Sequence, residues 1–309
     1  MEHYSVLLNE AIENLNIKPD GIYVDATLGM GGHSSKILEK LTTGHLYSFD
    51  EDRLAIEKSE ERLRKISNNF TLIKSNFVNL KEELIKLGVK KIDGIVFDLG
   101  VSSPQIDTAS RGFSFSRDAK LDMRMDQDSN FSAFDVVNTY PNNELVNIFF
   151  SYGEEEKSRL IAKKIMENRP INTTLELVDV IKRAVGANYF YKKHPERNIF
   201  QAIRIEVNKE LSVLSQVLPD VVDMLNDKGR VVIITFHSLE DRIVKKFFKE
   251  NSEVMEALRG LPEIPDAYKP KLKLITKKPI LPSKEELAAN TRSNSAKLRV
   301  AERIINDEC

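Results

Sequence analysis

The chain has 309 residues, of which 41% are hydrophobic and 30% charged, with a formal net charge of −1. That length exceeds one ordinary compact domain and calls for two domains, or one domain with a large insertion. The balanced charge excludes a globally basic nucleic-acid binder, so any phosphate-binding face must be local, and the lone cysteine, Cys309, excludes a disulfide framework, a cysteine-based zinc site and an iron–sulfur site.

The segment Met1–Glu10 carries two acids and no lysine or arginine, which does not fit a signal peptide. No apolar run approaches the ~18 residues of a membrane span, and the expected location is the cytoplasm. Strand and helix patterns then alternate. Gly21–Asp25 reads as a short strand ending in an acid, followed by a glycine-rich turn and a helix over Ser34–Leu41. His45–Asp50 is a second strand ending in an acid, Asp52–Ile66 a helix, Phe70–Lys74 a third strand, Leu80–Leu87 a helix, and Ile92–Asp98 a fourth strand. Such alternation predicts βαβ units and a parallel sheet.

From about Gln105 to Arg197 the strands stop. Polar and aromatic loops, among them Arg111–Phe115, give way to amphipathic helices over Asn142–Phe150, Lys157–Asn168 and Thr174–Val185, the last with Thr173 or Thr174 as N-cap. A long helix from Asn198 to about Asn226 leads into a buried strand, Gly229–Thr235. Strands over Leu272–Thr276 and Lys297–Ala301, with a short helix at Lys284–Ala289, complete about seven strands. The expectation is an α/β, Rossmann-like domain of residues 1–104 and 198–309, with a helical substrate-recognition insertion, 105–197, after strand four.

The turn Asp25–His33 holds Gly29, Gly31 and Gly32 between a strand and a helix, where glycine permits a tight turn and free helix N–H groups face a ligand. Asp50 lies 21 residues beyond Gly29, at the end of the next strand, where an acid accepts hydrogen bonds from the ribose hydroxyls of an adenosine cofactor. Ser34 stands where a dinucleotide fingerprint wants glycine. Asp25 would repel a pyrophosphate but suits a cofactor bearing an ammonium group. Both favour S-adenosylmethionine over NAD. Phe77, after strand three, is either a wall for the adenine ring or a core aromatic.

Asp98-Leu-Gly-Val-Ser-Ser-Pro-Gln105 follows strand four, on the ligand side of a doubly wound sheet. Its Ser103-Pro104-Gln105 is similar to the Ser-Pro-Pro-Tyr turns of enzymes that methylate exocyclic amines, without the second proline and the aromatic. An exocyclic amine is a poor nucleophile because its lone pair is delocalised into the ring. Carbonyls and the hydroxyls of Ser102 or Ser103 could accept its protons and aim the nitrogen; a plain β-turn is the alternative. Methylation at C5 of a pyrimidine would need a thiolate, and the chain's thiol, Cys309, is remote in sequence. After strand five, Phe236–Asp241 offers His237 and Glu240 as groups that could bind or titrate, with Ser238 an alternative helix cap. The histidines His3, His33, His45, His194 and His237 lack metal-ligand spacing, so no catalytic metal is expected. The mixed-charge stretch Arg117–Asp128 reads as a solvated loop. The segment Tyr268–Arg299 holds nine basic residues against two acidic, whereas Pro104–Arg197 holds 14 of each. The former is therefore the expected phosphate-binding face.

Taken together, these blocks resemble the bacterial small-subunit (16S) ribosomal RNA cytosine-N4 methyltransferase family. The carrying motifs are His3–Glu10, Asp25–His33, Asp93–Gln105, Arg111–Phe115, Leu121–Asp126, Phe200–Glu206, Thr235–Arg242 and Ser295–Ala301. The resemblance implies a class I methyltransferase fold and direct methylation, with no covalent enzyme intermediate, of N4 of one decoding-centre cytosine. It places S-adenosylmethionine contacts on Gly31, Gly32, His33, Asp50, Phe77, Asp98 and Gln105, and makes small-subunit rRNA or a ribosomal subunit the partner. A different methyl acceptor, an NAD-dependent oxidoreductase and a non-catalytic adapter are the competing readings. Oligomeric state stays open.

Overall fold

A computed structural model describes residues 5–254, 258, 264–265 and 268–305; His3 and Cys309 lie outside them. In chain order the elements are α1 (Leu8–Leu15), β1 (Ile22–Asp25), α2 (Gly32–Leu38), β2 (His45–Asp50), α3 (Arg53–Arg64), β3 (Phe70–Lys74), α4 (Leu80–Lys86) and β4 (Ile92–Asp98). A helical run follows: α5 (Ser103–Asp107), α6 (Ala133–Thr139), α7 (Asn142–Ser151), α8 (Ser158–Glu167), α9 (Thr174–Val185), α10 (Ala187–Lys193), α11 (Pro195–Asn208) and α12 (Glu210–Met224). Sheet structure then resumes with β5 (Leu225–Thr235), α13 (Ser238–Ser252), β6 (Leu272–Leu274), α14 (Lys284–Ala289) and β7 (Lys297–Arg303).

The chain divides into two compact units, one of residues 1–100 and 211–309, the other of residues 101–210. In the first, seven strands form one sheet in the order β3-β2-β1-β4-β5-β7-β6. The pairs from β3 through β5 are parallel, and β7 is antiparallel to both β5 and β6. This is the α/β, Rossmann-like sheet of about seven strands that the sequence pattern predicts. The pleat explains both cores, since successive side chains leave opposite faces of a strand. Ile95, Phe97, Val231 and Ile233 pack with Leu84, Leu218, Val221 and Phe248 on one face. Val96, Val232 and Ile234 pack with Ile12, Leu15, Ile37 and Leu38 on the other.

The second unit has its own core, in which Leu145, Phe149, Ile161, Ile165, Leu177, Ile181, Ile199 and Ile203 meet. Thr173 caps α9, accepting from the Glu176 N–H, while Glu176 reaches back to the Thr173 N–H. The long helix expected over Asn198–Asn226 is two. It breaks at Lys209, whose left-handed φ of 52° cannot continue a helix. As a result α11 belongs to the second unit, whereas the sequence pattern assigns it to the sheet domain. Strand five also starts earlier than Gly229, because Leu225 pairs with Ile92 across an irregularity in the register. The Arg117–Asp128 stretch is an ordered loop. Arg124 grips Asp122 at 2.7 Å, and the Arg111 guanidinium donates to the Arg124 and Met125 carbonyls.

Candidate cofactor and active site

Parallel pairing sets the carboxyl ends of β2, β1 and β4 side by side, with Asp25 in register with Ser48 and Val96. Three strand-end acids, Asp25, Asp50 and Asp98, therefore surround one turn. That turn is stitched to its neighbours by backbone bonds from the Ala26 N–H to the Val96 carbonyl and from the Leu28 N–H to the Phe49 carbonyl, each 2.9 Å. Gly29 and Gly31 take positive φ of 50° and 72°, which glycine adopts without the penalty a Cβ brings. Ser59 holds the turn from beneath, donating to the Gly29 carbonyl at 2.9 Å. Its contribution, from 30 residues away, carries no local sequence signal.

Asp50 accepts the Gly29 N–H at 2.8 Å on one oxygen and the Asp52 N–H at 2.8 Å on the other. A carboxylate oxygen has two acceptor positions, so each keeps one for a ligand hydroxyl. Burial pushes Asp50 up to about 7 despite those donors. Asp25 has a different place. It is 1% exposed and takes the Ser34 hydroxyl at 2.7 Å and the Thr27 N–H at 3.1 Å. The two residues that argued against a dinucleotide are thus bonded to each other, and Asp25 fixes the turn. Burial raises it to about 6, against the Ser34 and Thr27 bonds.

Asp98 is seated by its backbone N–H, which donates to the Thr27 hydroxyl at 2.6 Å. Its Oδ1 is buried with no hydrogen-bond partner among the described residues. Burial, then the charges of Asp25, Glu240 and Glu286, push its carboxyl well above the ordinary range. His33 is buried, with Nδ1 3.7 Å from Asp98 Oδ2 and Nε2 unpartnered among the described residues. Burial lowers it to about 4, so the ring is neutral at physiological pH and does not compensate these acids. An orphaned carboxylate oxygen among acids fits a ligand carrying positive charge and N–H donors, as S-adenosylmethionine does, and opposes an anionic pyrophosphate.

Phe77 follows β3 in a short 3-10 turn, partly buried, with its ring edge-on to Phe97 at 5.4 Å between centroids. In the second unit, Ser102 is the N-cap of α5, Ser103 its first residue and Gln105 is buried, with Oε1 accepting the Ser102 N–H at 3.0 Å. The pattern Ser-x-x-Gln is a capping-box signal that a plain β-turn reading overlooks. His237, not Ser238, is the N-cap of α13. Its Nε2 lies 3.2 Å from Glu240 Oε1 without hydrogen-bond alignment, and Glu240 instead accepts the Phe236 N–H at 2.8 Å. The basic segment does not present all its cations. Arg299 is buried in a two-pronged pair with Asp241 at 2.7 and 3.2 Å, and Lys297 lies 3.5 Å from the same acid. Lys271, Lys273, Lys277, Lys278 and Lys284 are exposed, although Lys271 lies 3.9 Å from Asp223.

The model of the MraW methylase family matches residues 1–304. The chain belongs to the MraW methylase family. A relative from Exiguobacterium sibiricum, "Ribosomal RNA small subunit methyltransferase H", is 55% identical over 307 residues, 98% of each chain. Among solved structures, an rRNA methylase from Streptococcus thermophilus is 15% identical, with a TM-score of 0.40 over 96% of this chain and 94% of that one. A Streptococcus mutans protein in complex with SAH is 12% identical, with a TM-score of 0.46 over 98% of this chain and 100% of that one. Among the described residues of this family member, no helix is long and apolar enough to cross a membrane.

Proposed function

We propose that this chain methylates the N4 amine of a decoding-centre cytosine in small-subunit rRNA, using S-adenosylmethionine and no covalent enzyme intermediate. The observation that carries this reading is the Asp98 oxygen, unpartnered among the described residues, which sits among strand-end acids beside a glycine turn in a member of the MraW methylase family. The named function of the 55% identical relative supports the rRNA substrate.

When bound, S-adenosylmethionine supplies an electrophilic methyl group. The chain's part is positioning and electrostatics. Gly31, Gly32 and His33 line the turn, Asp50 takes the ribose hydroxyls, and Phe77 flanks the adenine. Asp98 takes the cationic end, and Gln105 completes the contacts. Ser102 and Ser103 orient the amine by accepting its protons, and His237 is the further group that could bind or titrate in the reaction. The exposed lysines Lys271, Lys273, Lys277 and Lys278 grip phosphates, while the helical unit shapes the pocket for the base, in keeping with the division between positioning and specifying contacts.

Calorimetry with S-adenosylmethionine and with NAD, followed by label transfer from methyl-labelled S-adenosylmethionine to small-subunit rRNA, tests the reading. It expects binding of the first cofactor only and label in the RNA. Binding of NAD alone, or cofactor binding without transfer to free rRNA or assembled subunits, would overturn it.

A further inference from the structure

The sequence Ser283-Lys-Glu-Glu286 begins α14 with the spacing of a capping box, in which the last glutamate turns back to the N–H of the serine. Glu286 does not do this. Ser283 caps the helix, accepting the Glu286 N–H at 3.1 Å. The Glu286 carboxylate reaches across 279 residues of sequence and accepts the Leu7 N–H at 2.9 Å. Leu7 is the N-cap of α1, in a left-handed conformation with φ 50°, and its side chain is fully buried. A leucine held there is strained, and α1 offers this start no side-chain cap of its own.

The segment tied down in this way lies against the cofactor turn. A Cβ on Gly32 would fall 1.8 Å from the Ser5 hydroxyl, so residue 5 covers Gly32 directly. The His33 ring donates to the Val6 backbone carbonyl. Glu286 is also one of the acids whose charge reaches Asp98. One carboxylate near the end of the chain thus fixes the segment that walls Gly32 and His33.

We propose that Glu286 is a positioning residue of the cofactor site, clasping the Ser5–Leu7 segment over Gly32 and His33 by accepting the Leu7 N–H. This rests on the reading that S-adenosylmethionine occupies that turn. The essential property is an acceptor oxygen at that reach. Glutamine retains it, whereas alanine removes it and aspartate is one methylene short.

The experiment compares wild type, Glu286→Ala, Glu286→Gln and Asp50→Ala by calorimetry with S-adenosylmethionine and by steady-state kinetics on rRNA. Glu286→Ala should weaken cofactor binding about tenfold, the scale of one hydrogen bond to a charged group. KM for the cofactor should rise, with kcat at saturation near wild type, and Glu286→Gln should restore most of the affinity. Hydrogen exchange on wild type gives a readout that needs no variant: adding S-adenosylmethionine should slow exchange in residues 5–8 and 284–290 together. Wild-type affinity in Glu286→Ala while Asp50→Ala loses binding would overturn the clasp and leave the cofactor reading standing. Glutamine no better than alanine, or no joint protection of the two segments, would also overturn it. A wild-type chain that bound no S-adenosylmethionine would remove the cofactor reading and the clasp together.

Discussion

In the proposed function Asp50 joins two jobs in one carboxylate: its oxygens hold the Gly29 and Asp52 N–H groups, and the proposal has the same oxygens take the ribose hydroxyls. Asp50→Ala should weaken S-adenosylmethionine binding by about 2–4 kcal/mol, the scale of two charge-assisted hydrogen bonds with partial compensation by water. The same change leaves two backbone donors without their acceptor, so some loss of stability should accompany it. Calorimetry on the folded variant, with thermal unfolding in parallel, separates the two effects; unchanged affinity in a folded variant would remove Asp50 from the site. The raised acids also set a pH dependence. Asp50 at about 7 and Asp25 at about 6 sit above the ordinary carboxylate value of 3.8. Between those values the folded chain without cofactor holds protons that the unfolded chain has released, so its stability falls as pH rises through that window. A cationic cofactor favours the ionised acids. Its affinity should therefore increase from about pH 5.5 to about pH 7.5, with proton release on binding. Calorimetry in buffers of different ionisation enthalpy measures both, and affinity that declined over that range would contradict the account.

At the scale of elements, the glycine turn and α5 are where short patterns carry most meaning. Gly31 has φ 72°, and a Cβ there would come within 3.2 Å of Ser59 Cβ. Gly31→Ala should cost about 1–2 kcal/mol of stability from the left-handed backbone alone, and cofactor affinity should fall with it; denaturant unfolding with and without S-adenosylmethionine reads both. Ser102→Ala removes an N-cap, an expected cost of about 1 kcal/mol. If Ser102 and Ser103 orient the amine, replacing either with alanine should lower kcat more than cofactor affinity, the pattern of an interaction made mainly in the transition state. Lost cofactor binding with normal turnover at saturation would assign these serines to the cofactor instead. The strands and the turn were legible because their patterns are local: Val/Ile runs, strand-end acids, and glycines between strand and helix. The break at Lys209 was not, since nothing in Glu206–Glu210 forbids a continuous helix, and a left-handed lysine has no local sequence signal. The ties to Thr27, Ser59 and Glu286 were hidden for a related reason. They join residues 71, 30 and 279 positions apart, and no periodicity encodes such pairs.

For the molecule as a whole, the sheet unit and the helical unit each carry their own core, and the near-zero net charge hides a local excess of lysine. Charge alone points to the C-terminal segment, but burial revises the sum, because Arg299 is spent on Asp241 inside the fold. Changing Lys271, Lys273, Lys277 and Lys278 together to alanine should weaken rRNA binding. It should also flatten the salt dependence by about 0.7–0.9 in slope for each phosphate no longer neutralised, with cofactor affinity unchanged. An unchanged affinity and slope would move the phosphate-binding face elsewhere. The most direct measurement of the central claim is mass analysis of nucleosides from small-subunit rRNA lacking this modification, after incubation with the chain and S-adenosylmethionine. The account predicts N4-methylcytidine at a single decoding-centre position, absent when Asp98 is replaced by alanine; methyl groups on adenine, on a ribose hydroxyl or at cytosine C5, with N4 unmodified, would contradict it.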